Sequence, residues 1–164
     1  MKNADIQLLI IQELEKTIEQ EIKQLHCLNV IYTSALEFIE NKKYDEFFDK
    51  LDEQQIVENA LINTQQQISI TADKYKNRVE IATLLSGSNS SLNLPHYLRK
   101  LSDDVLISRK LLKSCKLLNE KIKYHVKEVQ TEIQQKMASF KNRRLIKTGY
   151  SSLNPYKTGL VIDC

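Results

Sequence analysis

Apolar residues recur along this chain at steps of three, four and seven. Ile11, Leu14, Ile18, Leu25, Leu28, Tyr32, Ala35 and Ile39 make the first such stripe, the signature of an amphipathic helix. Ile22 covers the one step at which Glu21 falls on the seam. The opposite face carries Glu13, Lys16, Glu19, Gln20 and Lys23, and the Glu19–Lys23 spacing adds about 0.3 kcal/mol of helix support. A second stripe follows in Phe47, Leu51, Leu61, Ile68, Ala72, Tyr75, Val79 and Ala82. Gln54, Glu58 and Gln65 dilute its middle, so packing is expected to be slack there. The third stripe is the longest: Leu94, Leu98, Leu101, Val105, Leu112, Cys115, Ile122, Val126, Val129, Ile133 and Phe140.

Nothing between Met1 and Ser86, or between His96 and Thr148, is glycine or proline, the strongest helix interrupters. One helix to Ser86 would be about 130 Å long at roughly 1.5 Å per residue, too long for a small domain to cover. A break is therefore required. Asn41-Lys42-Lys43 is the best place for it, being polar, off the stripe and led by a turn-tolerant asparagine. Ser86-Gly87-Ser88-Asn89-Ser90-Ser91 reads as a loop. Asn93 then serves as an N-cap, with Pro95 in the first turn. The expected helices cover about 4–41, 44–84 and 94–140. Ser102-Asp103-Asp104 could restart the last one and give a fourth. Beyond Phe140, Gly149, Pro155 and Gly159 predict a basic, flexible tail over 141–164. The fold class is all-α: an antiparallel bundle of three long helices, or four, over residues 1–140.

Composition narrows the functional classes. Three glycines in 164 residues leave no means to build a phosphate loop or a dinucleotide fingerprint. His26, His96 and His125 are far apart and show no metal-ligand spacing. Cys27, Cys115 and Cys164, an odd and scattered set, argue against a disulfide framework. Cys115 and Cys27 read as small core residues. The start of the chain lacks a signal-peptide pattern, and Leu8-Leu9-Ile10-Ile11 is too short to span a bilayer. A cytoplasmic location without membrane insertion is expected. Most carboxylates fall on polar faces beside lysines. Glu21 and Glu58 lie on seams, where snorkelling to the surface is the favoured reading. No enzymatic machinery, cofactor, metal or small-molecule substrate is indicated. Net charge is +3, and Phe140–Lys147 holds four cations and no acid. Cations at a helix C-terminus account for that run, and an anionic or nucleic-acid surface is the competing use.

Three segments carry a family resemblance. The first helix followed by Ala35-Leu36-Glu37-Phe38-Ile39-Glu40-Asn41-Lys42-Lys43-Tyr44-Asp45-Glu46-Phe47 is one. Asp52-Glu53-Gln54-Gln55-Ile56-Val57-Glu58-Asn59-Ala60-Leu61 is the second. Leu117-Leu118-Asn119-Glu120-Lys121-Ile122, inside a long final helix, is the third. Together they resemble the FlgN-like flagellar export chaperones over nearly the whole chain. The ending from Gly149-Tyr150 to Ile162-Asp163 is similar in kind. The resemblance implies a chaperone that binds C-terminal helical segments of hook-associated proteins, prevents their premature assembly and brings them to the type III export gate. A protein of that kind offers an apolar stripe to an amphipathic helix. The expected client-binding residues are Val126, Val129, Ile133, Met137 and Phe140, where the stripe outruns the core. Tyr150, Leu153 and Tyr156 are the expected recognition residues of the tail. Homodimer formation is left open. The rival readings are a self-associating structural coiled coil and, below it, an anionic-surface or nucleic-acid binder using Lys141–Lys147.

Overall fold

The computed structural model describes residues 3–87 and 94–151, with side chains from Asp5 to Gly87 and from Leu94 to Lys141. Its regular structure is helical throughout: α1 (Asn3–Glu40), α2 (Tyr44–Asp73), α3 (Arg78–Leu85) and α4 (His96–Ser151). No described helix is long and apolar enough to cross a membrane. The chain divides into two compact units, residues 1–124 and 125–164. The first is the helical bundle. In the second, the described residues are the distal part of α4.

Side-chain pairs give the directions of the bundle helices. Along α1, Glu21 meets Gln65 and Tyr32 meets Glu58 of α2, so the two run antiparallel. Glu19 pairs with Lys100, Glu21 with Ser108 and the Leu25 carbonyl with Cys115 of α4, so α1 and α4 run the same way. The result is an up-down-up bundle with α1 flanked by both long partners. The expected α1 stripe is the buried one: Ile11, Leu14, Ile18, Leu25, Leu28, Tyr32, Ala35 and Ile39 are all 5% exposed or less.

The turn forms where sequence places it. The Lys43 amide donates to the Phe38 carbonyl at 2.8 Å and the Lys42 amide to the Ile39 carbonyl at 3.1 Å, the two bonds of a Schellman cap. Its pivot, Lys42, has φ 59°, a left-handed conformation that glycine adopts more readily. The hydrophobic contact that often accompanies such a cap is replaced by the Lys43 ammonium over the Phe38 ring, 6.0 Å from its centroid.

One helix was expected over 44–84, and two are found. α2 stops at Asp73, and α3 starts after Asn77, whose side chain accepts from the Glu80 amide at 3.3 Å. Asn77 also donates to the Glu80 carboxylate at 3.3 Å. Asn77 is thus a side-chain N-cap whose own amide, rather than its backbone N–H, answers Glu80, and the Asn77–Glu80 spacing was legible in the sequence. The break lets Ile81 and Leu84 of α3 turn inward over the end of the bundle, where they join Ile11, Leu14, Tyr75, Leu98 and Leu101 in the core. α3 ends at Leu85, and two residues on Gly87 has a φ of 75°, which favours glycine. The Arg109 guanidinium of α4 caps it by donating to the Leu85 carbonyl at 2.8 Å.

α4 runs without interruption through Ser102-Asp103-Asp104, so no further helix restarts there. It also continues past Phe140 to Ser151, where a tail was expected. Gly149 costs a helix only about 1 kcal/mol, too little to end it. The Asn93 cap lies outside the described residues.

Replacing Lys42 by glycine relieves the left-handed strain, and the variant is expected to gain about 1 kcal/mol. Thermal melts check this, and an unchanged or lowered midpoint contradicts it.

Candidate functional site

The polar seam residues of α2 are hydrogen-bonded. Glu21 of α1 is 5% exposed, yet both its oxygens are satisfied. Gln65 of α2 donates to one at 3.0 Å, and Ser108 of α4 donates to the other at 2.7 Å. A carboxylate in an apolar seam is costly unless so bonded. One residue from each long helix meets at this point, and each had to be rotated and staggered correctly to do so. Farther along, Glu58 accepts from the Tyr32 hydroxyl at 2.6 Å and from Gln54 at 3.0 Å. The expectation that Glu21 and Glu58 snorkel outward is thus corrected: cross-helix donors hold them in the seam. Apolar packing is slack around Gln54 and Glu58 as expected, with no buried residue between Phe47 and Leu61, and these polar bonds occupy the stretch.

A cleft of about 330 Å³ lies over Glu21, walled by Ile18, Ile68, Val105 and Leu112, with Arg109 among its lining residues. A larger one of about 650 Å³ sits at the N-terminal end of α1, among Leu8, Tyr75, Lys76 and Tyr97. There the Lys76 amide donates to the Gln7 side chain at 2.9 Å. Ser108 and Glu21 both line the first cleft, and their bond at 2.7 Å is the seam contact described above. Among the described residues, no group of three or more His, Cys, Asp or Glu is placed to hold a metal ion.

Burial sets the titration of several groups. The Tyr32 hydroxyl is held protonated well above the ordinary tyrosine range, first by burial and then by its bond to Glu58. Tyr75 is pushed up to about 12, again by burial and then by its hydrogen bond with Tyr97. Burial also raises the Cys115 thiol, which donates to the Leu25 carbonyl at 3.5 Å. Cys115 is the core residue expected; Cys27 is exposed, contrary to expectation, because it sits one position off the α1 seam. At the surface, Lys100 hydrogen-bonds Glu19 at 2.8 Å, which lowers that carboxyl and raises the lysine.

The α4 stripe changes character along its length. Leu98, Leu101, Val105, Cys115 and Ile122 are buried. In the distal unit, Val126 and Val129 are half-buried, while Ile133, Met137 and Phe140 are 51, 67 and 63% exposed. These five share about a quarter of the helix circumference at 3.6 residues per turn. Of the tail residues, the side chain of Tyr150 and all of Leu153 and Tyr156 lie outside the described residues, as does Cys164.

Two outcomes are expected for the polar seam. Ser108→Ala removes a bond to a buried carboxylate and costs about 2 kcal/mol. The triple change Glu21→Leu, Gln65→Leu and Ser108→Ala recovers most of that loss; urea unfolding reads both, and a harmless Ser108→Ala would refute the tie.

A third outcome concerns alkali. Tyrosine ionises near pH 10 when unfolded, and the folded protein holds Tyr32 and Tyr75 protonated beyond that. Their contribution is full below about pH 10 and drains away as pH rises above it. Tyr32→Phe is expected to flatten part of this alkaline loss, leaving the Tyr75 share up to about pH 12. Stability curves that superimpose above pH 10 would exclude it.

No family model, curated protein or solved structure matches the chain.

Proposed function

We propose that this protein is a non-enzymatic, helix-capturing chaperone of the flagellar export system. It takes the C-terminal helical segments of hook-associated proteins in the cytosol, keeps them from assembling early and presents them to the type III export gate. The observation that carries the proposal is the exposed stripe of Ile133, Met137 and Phe140 on α4. A row of large apolar side chains at helical spacing is a surface made for another amphipathic helix. Val126 and Val129 extend the same row toward the bundle sequence. The flagellar identity of the client comes from the resemblance of the three segments to FlgN-like chaperones.

The stripe suits capture energetically. A client helix brings its own apolar face, and burial contributes about 25 cal/mol per Å² on both partners. Lys136, Lys141 and the cations that follow would favour a client with acidic residues beside its apolar row.

Met137→Glu places a charge in the middle of the stripe. It is expected to weaken binding of hook-associated C-terminal fragments about thirtyfold or more, the scale of an interface hot spot. The bundle's melting temperature should stay unchanged, since Met137 is exposed. Isothermal calorimetry decides: equal affinity for parent and variant, or no heat with any hook-associated fragment, sinks the proposal.

A further inference from the structure

We propose that the α4 stripe of one copy docks on the outward face of α2 of a second copy. The starting point is a second exposed row, which the core does not use. Phe48, Ile56, Ile62 and Ile70 of α2 are 60, 71, 51 and 52% exposed. At 3.6 residues per turn they fall within about a third of the helix circumference, away from the face that buries Phe47, Leu61 and Ala72. Phe48 is held in place by its neighbour, with the Phe47 and Phe48 rings edge to face at 5.6 Å. The four stand about two turns apart, with Asp52, Asn59 and Gln66 on the same face between them, so the face is a mixed one on which large apolar side chains recur.

Charge selects the occupant. Between Tyr44 and Asp73 there are seven acids and one lysine. That lysine, Lys50, is already bonded to Glu53 at 2.7 Å. Asp45, Asp49 and Asp52 are exposed and stand at helical spacing around Phe48 and Ile56. Between His125 and Lys147 there are six cations and two acids, Lys136 being bonded to Glu132 at 2.6 Å. The two segments are thus opposite in charge, and each carries an apolar row on a helix. Pairing two α4 stripes with each other would bring cation-rich segments together, and pairing two α2 faces would bring acid-rich ones together. Setting α4 against α2 satisfies both the apolar and the charged requirement. Each copy has one surface of each kind, so a two-fold pair can use both contacts reciprocally. The inference goes beyond the client proposal and does not require it, though client and second copy would compete for the same stripe.

Sedimentation equilibrium of the full chain tests it. The expected species is twice the 19.1 kDa monomer, weakening as salt rises. Asp49→Lys with Asp52→Lys, or Lys136→Glu with Lys141→Glu, should each weaken association about tenfold or more. A chain carrying all four changes should regain it. All four positions are exposed, and Asp45 is kept because it suits the first turn of α2; circular dichroism melts confirm that each variant folds. A parent chain that stays monomeric, or a dimer indifferent to the α2 reversal, overturns the proposal. A dimer that binds no hook-associated fragment supports this contact and defeats the client reading. A monomer that captures such fragments does the reverse.

Discussion

Burial of the α1 stripe is the constraint on which the rest of the structure depends. α1 is 38 residues long, and its apolar row is covered from Ile11 to Ile39. No single helix can cover a row of that length on both flanks. α2 therefore returns along one side and α4 climbs the other. Because α1 touches both, its rotation fixes theirs, and every later feature takes its register from it. The Glu21 carboxylate illustrates the dependence. It sits in the one step where the stripe is broken, and it is tolerable only because Gln65 and Ser108 arrive from opposite partners.

The bundle is finished differently at its two ends. At the α1 N-terminal end, α3 folds over the core and places Ile81 and Leu84 among α1, α2 and α4 residues. Arg109 ties that short helix down through the Leu85 carbonyl. At the α1–α2 turn the cover is thinner. α2 buries Phe47 there and then nothing more until Leu61. Polar bonds from Gln54 and Tyr32 to Glu58 take over where apolar packing lapses. The same stretch carries the exposed Phe48 and Ile56, so apolar surface appears on α2 where its core contribution is least.

Among the described residues the polar seam groups are structural. Chemistry at a site needs groups held at fixed distances by rigid turns, loops or ligated ions. Here several buried or half-buried polar groups bond across helices, while Gln24 Oε1 and Asp104 Oδ2 are buried without a hydrogen-bond partner among the described residues. Glu21, Glu58, Ser108 and Tyr32 each have their partners inside the bundle. Large apolar side chains remain exposed on α2 and on the distal part of α4, and the proposals above rest on them.

Sequence alone determined the helical class, the identity of the α1 core residues and the position of the first turn. Periodicity carries that information, because each helix must present one face to its neighbours. It also marked the point along α4 beyond which the stripe outlasts the core: Ile122 is buried and Ile133 is exposed. The α2–α3 break could have been read from Asn77 and Glu80, but an unbroken stripe from Tyr75 to Ala82 masked it. Tertiary structure decided the rest. Whether Glu21 snorkels or is bonded depends on which residues of two distant helices stand opposite it, and one helix's periodicity cannot reveal that. Cys27 shows the same limit, since one position around a helix separates core from solvent. The second row on α2 also emerged only once the buried face was known. Phe48, Ile56, Ile62 and Ile70 are apolar in any reading, and their exposure follows from which side of the helix α1 claims.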